Sequence, residues 1–208
     1  HGDADHINGI QELLQNQKQG VEIDALVLPP EEYMDEKLLH LAEMAKENGT
    51  SVLTIYSGEE VGTYLKCIAP LTTRKNERTR GRMEEAPRLE AGNEASVVLE
   101  LKDGAFQMLL TGDLEGRGEE QLVESGALES CPILKAGHHG SKNSGSEEFL
   151  QIVKPRLTLI SAGIENRYGH PADEAMDRLM DAKCSILYTM QSGQIKYKES
   201  TIYENNRQ

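Results

Sequence analysis

Short apolar runs alternate along this chain with helix-forming stretches, and two of the runs end on glycine followed by His or Asp. Ala25-Leu26-Val27-Leu28 reads as a buried strand closed by Pro29-Pro30. Residues 35–47 carry Leu38, Leu41, Ala42 and Ala45 at helical spacing, and Asn48-Gly49 stops the helix. A strand is expected over 52–55, a turn at Gly58, and another strand over 64–69 ending at Pro70. Such an order restricts the chain to an α/β architecture, in which functional side chains gather beyond the carboxyl ends of strands.

The second half continues the pattern. Strands are expected over 96–101 and 106–111, joined through Asp103-Gly104 as a hairpin. A short helix over 119–124 leads to a strand over 132–136. Ser144-x-x-Glu147 reads as a capping box for a helix ending before Pro155. A strand over 157–161 follows, and Pro171 opens a helix carrying Ala175, Met176, Leu179 and Met180. Strands over 185–189 and 194–198 are expected to close the chain as a hairpin about Ser192-Gly193. With 208 residues and neither repeats nor an internal boundary, one domain over 1–208 is expected.

The core should be aliphatic, since the chain has two Phe, seven Tyr and no Trp. Cys67, Cys131 and Cys184 are odd in number and without close spacing, which argues against a disulfide framework or zinc knuckle. A formal charge of −13 argues against a protein that coats nucleic acid through Lys and Arg, yet allows one that reaches phosphates through bound cations. Residues 72–92 are the exception: Arg74, Lys75, Arg78, Arg80, Arg82 and Arg88 make a basic stretch. It reads either as a solvated loop or as a flap for a polyanion. No run approaches the ~18 apolar residues of a membrane helix. The chain as it stands is therefore expected to be soluble.

Four stretches carry chemistry. His1-Gly2-Asp3-Ala4-Asp5-His6 packs four candidate ligands into six residues, just before a helix marked by Ile7, Ile10, Leu13 and Leu14. These ligands are expected on a loop at the helix start. Leu109-Leu110-Thr111-Gly112-Asp113 ends a buried strand on a carboxylate. Ile133-Leu134-Lys135-Ala136-Gly137-His138-His139-Gly140-Ser141 delivers two histidines between glycines, and Tyr168-Gly169-His170-Pro171 places another at a helix start. Asp and His without Cys suits a catalytic site, hard enough for Mn²⁺ and nitrogen-rich enough for Zn²⁺.

In this order the motifs resemble those of the metallo-β-lactamase superfamily. Within it they are similar to the β-lactamase-like domain of ComEC-type competence proteins, which import DNA. The resemblance implies an αββα sandwich lacking its first β-strands, so that the chain would be part of a larger, membrane-associated protein with a transmembrane region. It implies two divalent metal ions. His1, Asp3 and Asp113 would hold one; Asp5, His6, Asp113 and His139 would hold the other. The superfamily usually has a His where Asp3 stands, and another near Asn93, so both positions depart from its pattern. Asp5 would orient the attacking water, and His138 or His170 would protonate the leaving oxygen. Lys135, Ser141, Lys142, Asn143 and Asn93 would lie against the substrate. The implied activity is phosphodiester hydrolysis, as a nuclease acting on DNA. Alternatives are a small-substrate enzyme such as a phosphorylcholine esterase, and a metal-stabilised module of an import channel without turnover.

Overall fold

The computed structural model of the chain describes residues 1–16, 21–71, 88–198 and 201–205. It is α/β. Helix α1 (Ala4–Gln15) is followed by strand β1 (Ala25–Leu28), helix α2 (Glu36–Glu47) and strand β2 (Ser51–Thr54). Strands β1 and β2 pair in parallel, Leu26 opposite Val52. Ile7 and Leu14 of α1 bury against Leu38, Leu41 and Ala45 of α2 and Leu26 and Leu28 of β1. Leu13, expected on the inward stripe, is 46% exposed, because the buried arc of this helix is narrower than its apolar run.

A seven-stranded mixed sheet forms the rest of the frame. Its strands are β3 (Glu60–Val61), β4 (Leu65–Ala69), β5 (Val98–Asp103), β6 (Phe106–Leu110), β7 (Ile133–Lys135), β8 (Leu157–Ile160) and β9 (Ser185–Tyr188), ordered as they occur. The first four are antiparallel; from β6 to β9 each pair is parallel. Asp103 pairs with Phe106, so the expected hairpin turns through Gly104 and Ala105. Parallel neighbours need crossovers, which are helices α3 (Gly116–Glu124), α4 (Glu147–Val153) and α5 (Asp173–Asp181). Leu122, Phe149, Leu150, Val153 and Leu179 from these helices pack with Val98, Leu109, Leu134 and Ile160 of the strands in one core. The result is a mixed sheet flanked by helices, compatible with an α/β sandwich. Among the described residues no helix is long and apolar enough to cross a membrane.

Three local expectations are corrected. The closing hairpin is not formed between 185–189 and 194–198: β9 joins β8 in parallel at the sheet edge. A short helix α6 (Thr189–Ser192) intervenes, and β10 (Gln194–Lys198) pairs instead with β11 (Thr201–Asn205). An open parallel edge beside β8 offered 185–188 a full ladder, which outweighed the turn signal at Ser192-Gly193. The cap of α4 is Ser146, accepting from the Phe149 N–H at 3.3 Å, and not Ser144. The Ser144 hydroxyl is committed to the carbonyls of Gly137 and Ser141 at 2.8 and 3.0 Å. Finally, Asp5 and His6 are not on a loop but in the first turn of α1, with Asp3 at its N-cap. Of the basic stretch at 72–92, residues 72–87, including Arg74, Lys75, Arg78, Arg80 and Arg82, lie outside the described residues. Arg88 donates to the Glu32 carbonyl at 3.3 Å.

Candidate metal centre

Strands β6, β7 and β8 run parallel, so the segments leaving their carboxyl ends open at the same edge of the sheet. Asp113 follows β6, His138 and His139 follow β7, and Ser161 and His170 follow β8. One side-chain and one backbone hydrogen bond lock the loops together: the Thr111 hydroxyl donates to the Lys135 carbonyl at 2.6 Å and the His138 N–H to the Gly112 carbonyl at 3.1 Å. A Cβ on Gly137 would lie 2.5 Å from the Leu114 carbonyl oxygen, so only glycine allows the two loops this approach. His138 and His139 both take left-handed backbone, φ 40° and 55°. That conformation is uncommon for a single non-glycine residue, and here it turns two imidazoles in succession toward Asp113.

The Asp113 carboxylate is buried, 3% exposed, and ringed by imidazole nitrogens. His6 Nε2 and His1 Nε2 approach its Oδ2 at 3.0 and 3.2 Å, and His138 Nε2 stands at 3.8 Å; His139 Nε2 is 3.6 Å from its Oδ1. Burial alone would raise the Asp113 pKa. The facing His1, His6 and His139 reverse this and hold it well below the usual carboxylate range. In turn the His1 pKa is raised: burial opposes protonation, but Asp113, Asp3 and Asp5 outweigh it.

Ring tautomers sharpen the picture. The Ser161 carbonyl can only accept, so His139 Nδ1 carries the proton and donates to it. In a neutral ring that leaves a bare Nε2, which faces Asp5 Oδ2 at 3.1 Å. Likewise Glu115 Oε2, 2.9 Å from His138 Nδ1, draws the proton there and leaves His138 Nε2 facing Asp113. Lone pairs facing carboxylate oxygens repel unless a cation lies between them. His1 Nε2, His6 Nε2 and Asp113 Oδ1 are buried atoms without an aligned hydrogen-bond partner, although the pairs are close. Ligand atoms of Asp5, His6, Asp113 and His139 all lie within 4.8 Å of one another. By donor type and spacing these four can hold a divalent cation, with His1 adjacent through Asp113.

The other expected residues divide. Asp3 does not reach Asp113: its carboxylate is 59% exposed, 3.7 Å from Lys37 Nζ and 3.7 Å from His1 Nδ1, the ring nitrogen turned away from the cluster. Asn93 lies in the site without facing Asp113; its amide donates to Glu115 Oε1 at 2.9 Å. Ser141 donates to Glu115 Oε2 at 2.8 Å, so its hydroxyl is engaged within the protein. Lys135 Nζ donates to the Ala136 carbonyl at 2.7 Å; burial lowers its pKa, against the pull of Asp113. Lys142 and Asn143 are exposed on the following loop. His170 packs edge-on against His138 at 5.1 Å with Nδ1 buried and unpartnered. Its pKa is lowered by burial, then by the charge of His138 and His139.

Sequence reasoning missed three residues. Glu115, whose pKa is lowered by its bonds from Asn93, His138 and Ser141 against burial, fixes the His138 ring. Glu119 accepts from the Gly145 and Ser146 N–H groups at 2.6 and 2.7 Å. Arg178 donates to the carbonyls of Lys142, Ser144 and Gly145. Glu115 carried the one available signal, being two residues past Asp113; nothing in the spacing of Glu119 or Arg178 marks them.

No family model matches the chain. It is 33% identical over 204 residues to ComE operon protein 3 of Bacillus subtilis, a match covering 95% of this chain and 24% of that protein. It is 38% identical over 106 residues to Recombination protein 2 of Haemophilus influenzae, covering 51% of this chain and 13% of the relative. It is 37% identical over 106 residues to Competence protein ComA of Neisseria gonorrhoeae, covering 50% of this chain and 15% of the relative. The chain therefore spans a quarter or less of the length of these curated relatives. Their names and extents of similarity indicate a ComEC-type competence family.

Proposed function

We propose that the chain is a metal-dependent phosphodiester hydrolase of the metallo-β-lactamase type, working as the nuclease part of a competence protein that takes up DNA. The observation that carries this is the buried Asp113 carboxylate, faced by nitrogens of four imidazoles at 3.0–3.8 Å, two of them turned to it by partners on their far side. DNA as the substrate is supported by the relatives named Competence protein ComA and Recombination protein 2.

Asp5, His6, Asp113 and His139 would hold one divalent ion, Zn²⁺ or Mn²⁺, and His1 with Asp113 would contribute to a second. Such ions supply Lewis acidity and an activated water for in-line displacement at phosphorus. Glu115 keeps the proton of His138 on Nδ1 and so fixes that ring toward Asp113. His170, beside His138, is placed to pass a proton to the leaving oxygen. The paired loops after β6 and β7 form a rigid edge on which these groups need little rearrangement. Membrane attachment would come from the remainder of a longer protein.

A second reading, a small-substrate phosphodiesterase, is favoured by the charge of −13 and by the engagement of Ser141 and Lys135 within the protein. The test is turnover by metal-reconstituted protein on plasmid, single-stranded DNA and bis-nitrophenyl phosphate. Cleavage of all three supports the nuclease, and cleavage of the nitrophenyl ester alone supports the small-substrate enzyme. Metal binding without turnover of any would leave a non-catalytic module.

A further inference from the structure

The segment between β8 and α5 exposes apolar and aromatic surface beside the metal centre. Ile164 is 75% exposed and Tyr168 67% exposed, the two most exposed large hydrophobic side chains among the described residues. The segment is nonetheless braced. The Asn166 amide donates to the carbonyls of Gly163 and His170 at 3.0 and 2.6 Å, and its oxygen accepts the His170 N–H at 2.9 Å. The Arg167 guanidinium carbon stands 4.8 Å from the Tyr168 ring centroid, and its Nη2 donates to the Tyr168 hydroxyl at 2.6 Å. Tyr168 and His170 lie nearly parallel, 17° between planes and 6.2 Å between centroids. His170 in turn is 5.1 Å from His138, whose Nε2 is 3.8 Å from Asp113.

We propose that Tyr168 and Arg167 form a stacking platform for an unpaired nucleobase next to the scissile phosphate, so that the site takes DNA as a single strand. The proposal rests on the hydrolase reading above and adds the form of the substrate. An exposed tyrosine ring paired with a guanidinium plane offers two flat, polarisable surfaces on which any base can stack, whatever its hydrogen-bonding edge. In a duplex the faces of each base are already covered by its neighbours, so a side chain reaches them only once the strand is open. Charge points the same way. A net charge of −13 repels two phosphate backbones more than one, whereas base stacking adds affinity that does not depend on that net charge. The run of rings from Tyr168 through His170 to His138 puts the platform within reach of a nucleotide neighbouring the one at Asp113.

The test is steady-state cleavage by metal-loaded protein of a single-stranded oligonucleotide and of the same strand made abasic around the cleaved bond. Quenching of 2-aminopurine in the first strand gives a second readout, since it reports stacking directly. Tyr168→Ala should lower kcat/KM on the normal strand about 5- to 150-fold, the range for losing one stacked base, and abolish the quenching. The loss on the abasic strand should be several-fold smaller. Tyr168→Phe, which keeps the ring, should retain most of both signals. Equal loss on the two strands, or quenching unchanged in Tyr168→Ala, overturns the platform. Wild-type protein that holds metal yet cleaves neither strand overturns the nuclease reading, and the platform with it.

Discussion

Replacing Glu119 by alanine removes the acceptor for two backbone N–H groups, those of Gly145 and Ser146, in the loop that follows the paired histidines. Both bonds are short, 2.6 and 2.7 Å, and Glu119 is 4% exposed, so water does not readily replace it. A hydrogen bond to a charged group contributes roughly 1.5–3 kcal/mol. Two would give about 3–6 kcal/mol, but burial raises the Glu119 pKa, which means that holding the ionised carboxylate there has its own cost. The expected net loss is therefore about 2–4 kcal/mol. At roughly 2–4 °C per kcal/mol for a domain of this size, Tm should fall by about 4–16 °C. Urea unfolding, with the slope compared between proteins, gives the difference. Because Arg178 grips the same loop from α5 through three carbonyls, metal affinity should fall as well, as the loop loosens on one side. A loss below about 1 kcal/mol would refute the reasoning about the two N–H groups. A full loss of stability with unchanged metal affinity would refute the link between this brace and the centre.

Three further outcomes follow from the same geometry. Glu115→Gln turns an amide toward His138 and favours a proton on the wrong ring nitrogen, so cleavage should drop about 10- to 100-fold. Tm should fall as well, since the lowered Glu115 pKa marks an ionised carboxylate that stabilises the fold, and rate and melting curves check both. His170→Ala should lower DNA cleavage about 10²–10⁴-fold with metal content intact if that ring delivers the proton. Its lowered pKa means that a rate drawing on the protonated ring falls as pH rises through a value below 6.5, which a pH–rate profile reads. In metal-free protein the raised His1 pKa gives a stabilisation fully present below 6.5 and lost as pH rises through its higher folded value. Asp113, held low, contributes fully above its unfolded value near 3.9 and loses that contribution progressively as pH falls below it. Added Zn²⁺ or Mn²⁺ should therefore raise Tm more at pH 8 than at pH 6, since the ligands must be deprotonated to bind.

Much of the site was legible because its residues stand at strand ends, where a buried apolar run, a glycine and a His or Asp leave a signature in order. Leu110-Thr111-Gly112-Asp113 and Gly137-His138-His139-Gly140 are read directly from that pattern, as are the strands before them. What the pattern does not carry is which way a side chain turns once several loops meet. Asp3 has the spacing of a ligand, yet the helix start sends its carboxylate toward Lys37 and solvent. Ser141 and Asn93 look free to meet substrate, yet Glu115, brought in by the turn into α3, engages both. The same holds for the fold: Ser192-Gly193 is a good turn signal, but whether 185–188 pairs forward or joins β8 depends on a sheet edge built by distant residues. Ser144 and Ser146 both suit a cap, and the neighbouring Gly137 carbonyl decided between them.

The central claim is that the cluster around Asp113 holds divalent metal and that this metal drives phosphodiester cleavage. Its most direct measurement is a titration of metal-stripped protein with Zn²⁺ or Mn²⁺, following bound metal and cleavage of single-stranded DNA in the same samples. The account predicts no cleavage without metal, a rate that rises with occupancy and saturates at two equivalents, and loss of both binding and cleavage in Asp113→Ala. Cleavage that survives complete stripping, or full occupancy with no cleavage, would contradict it.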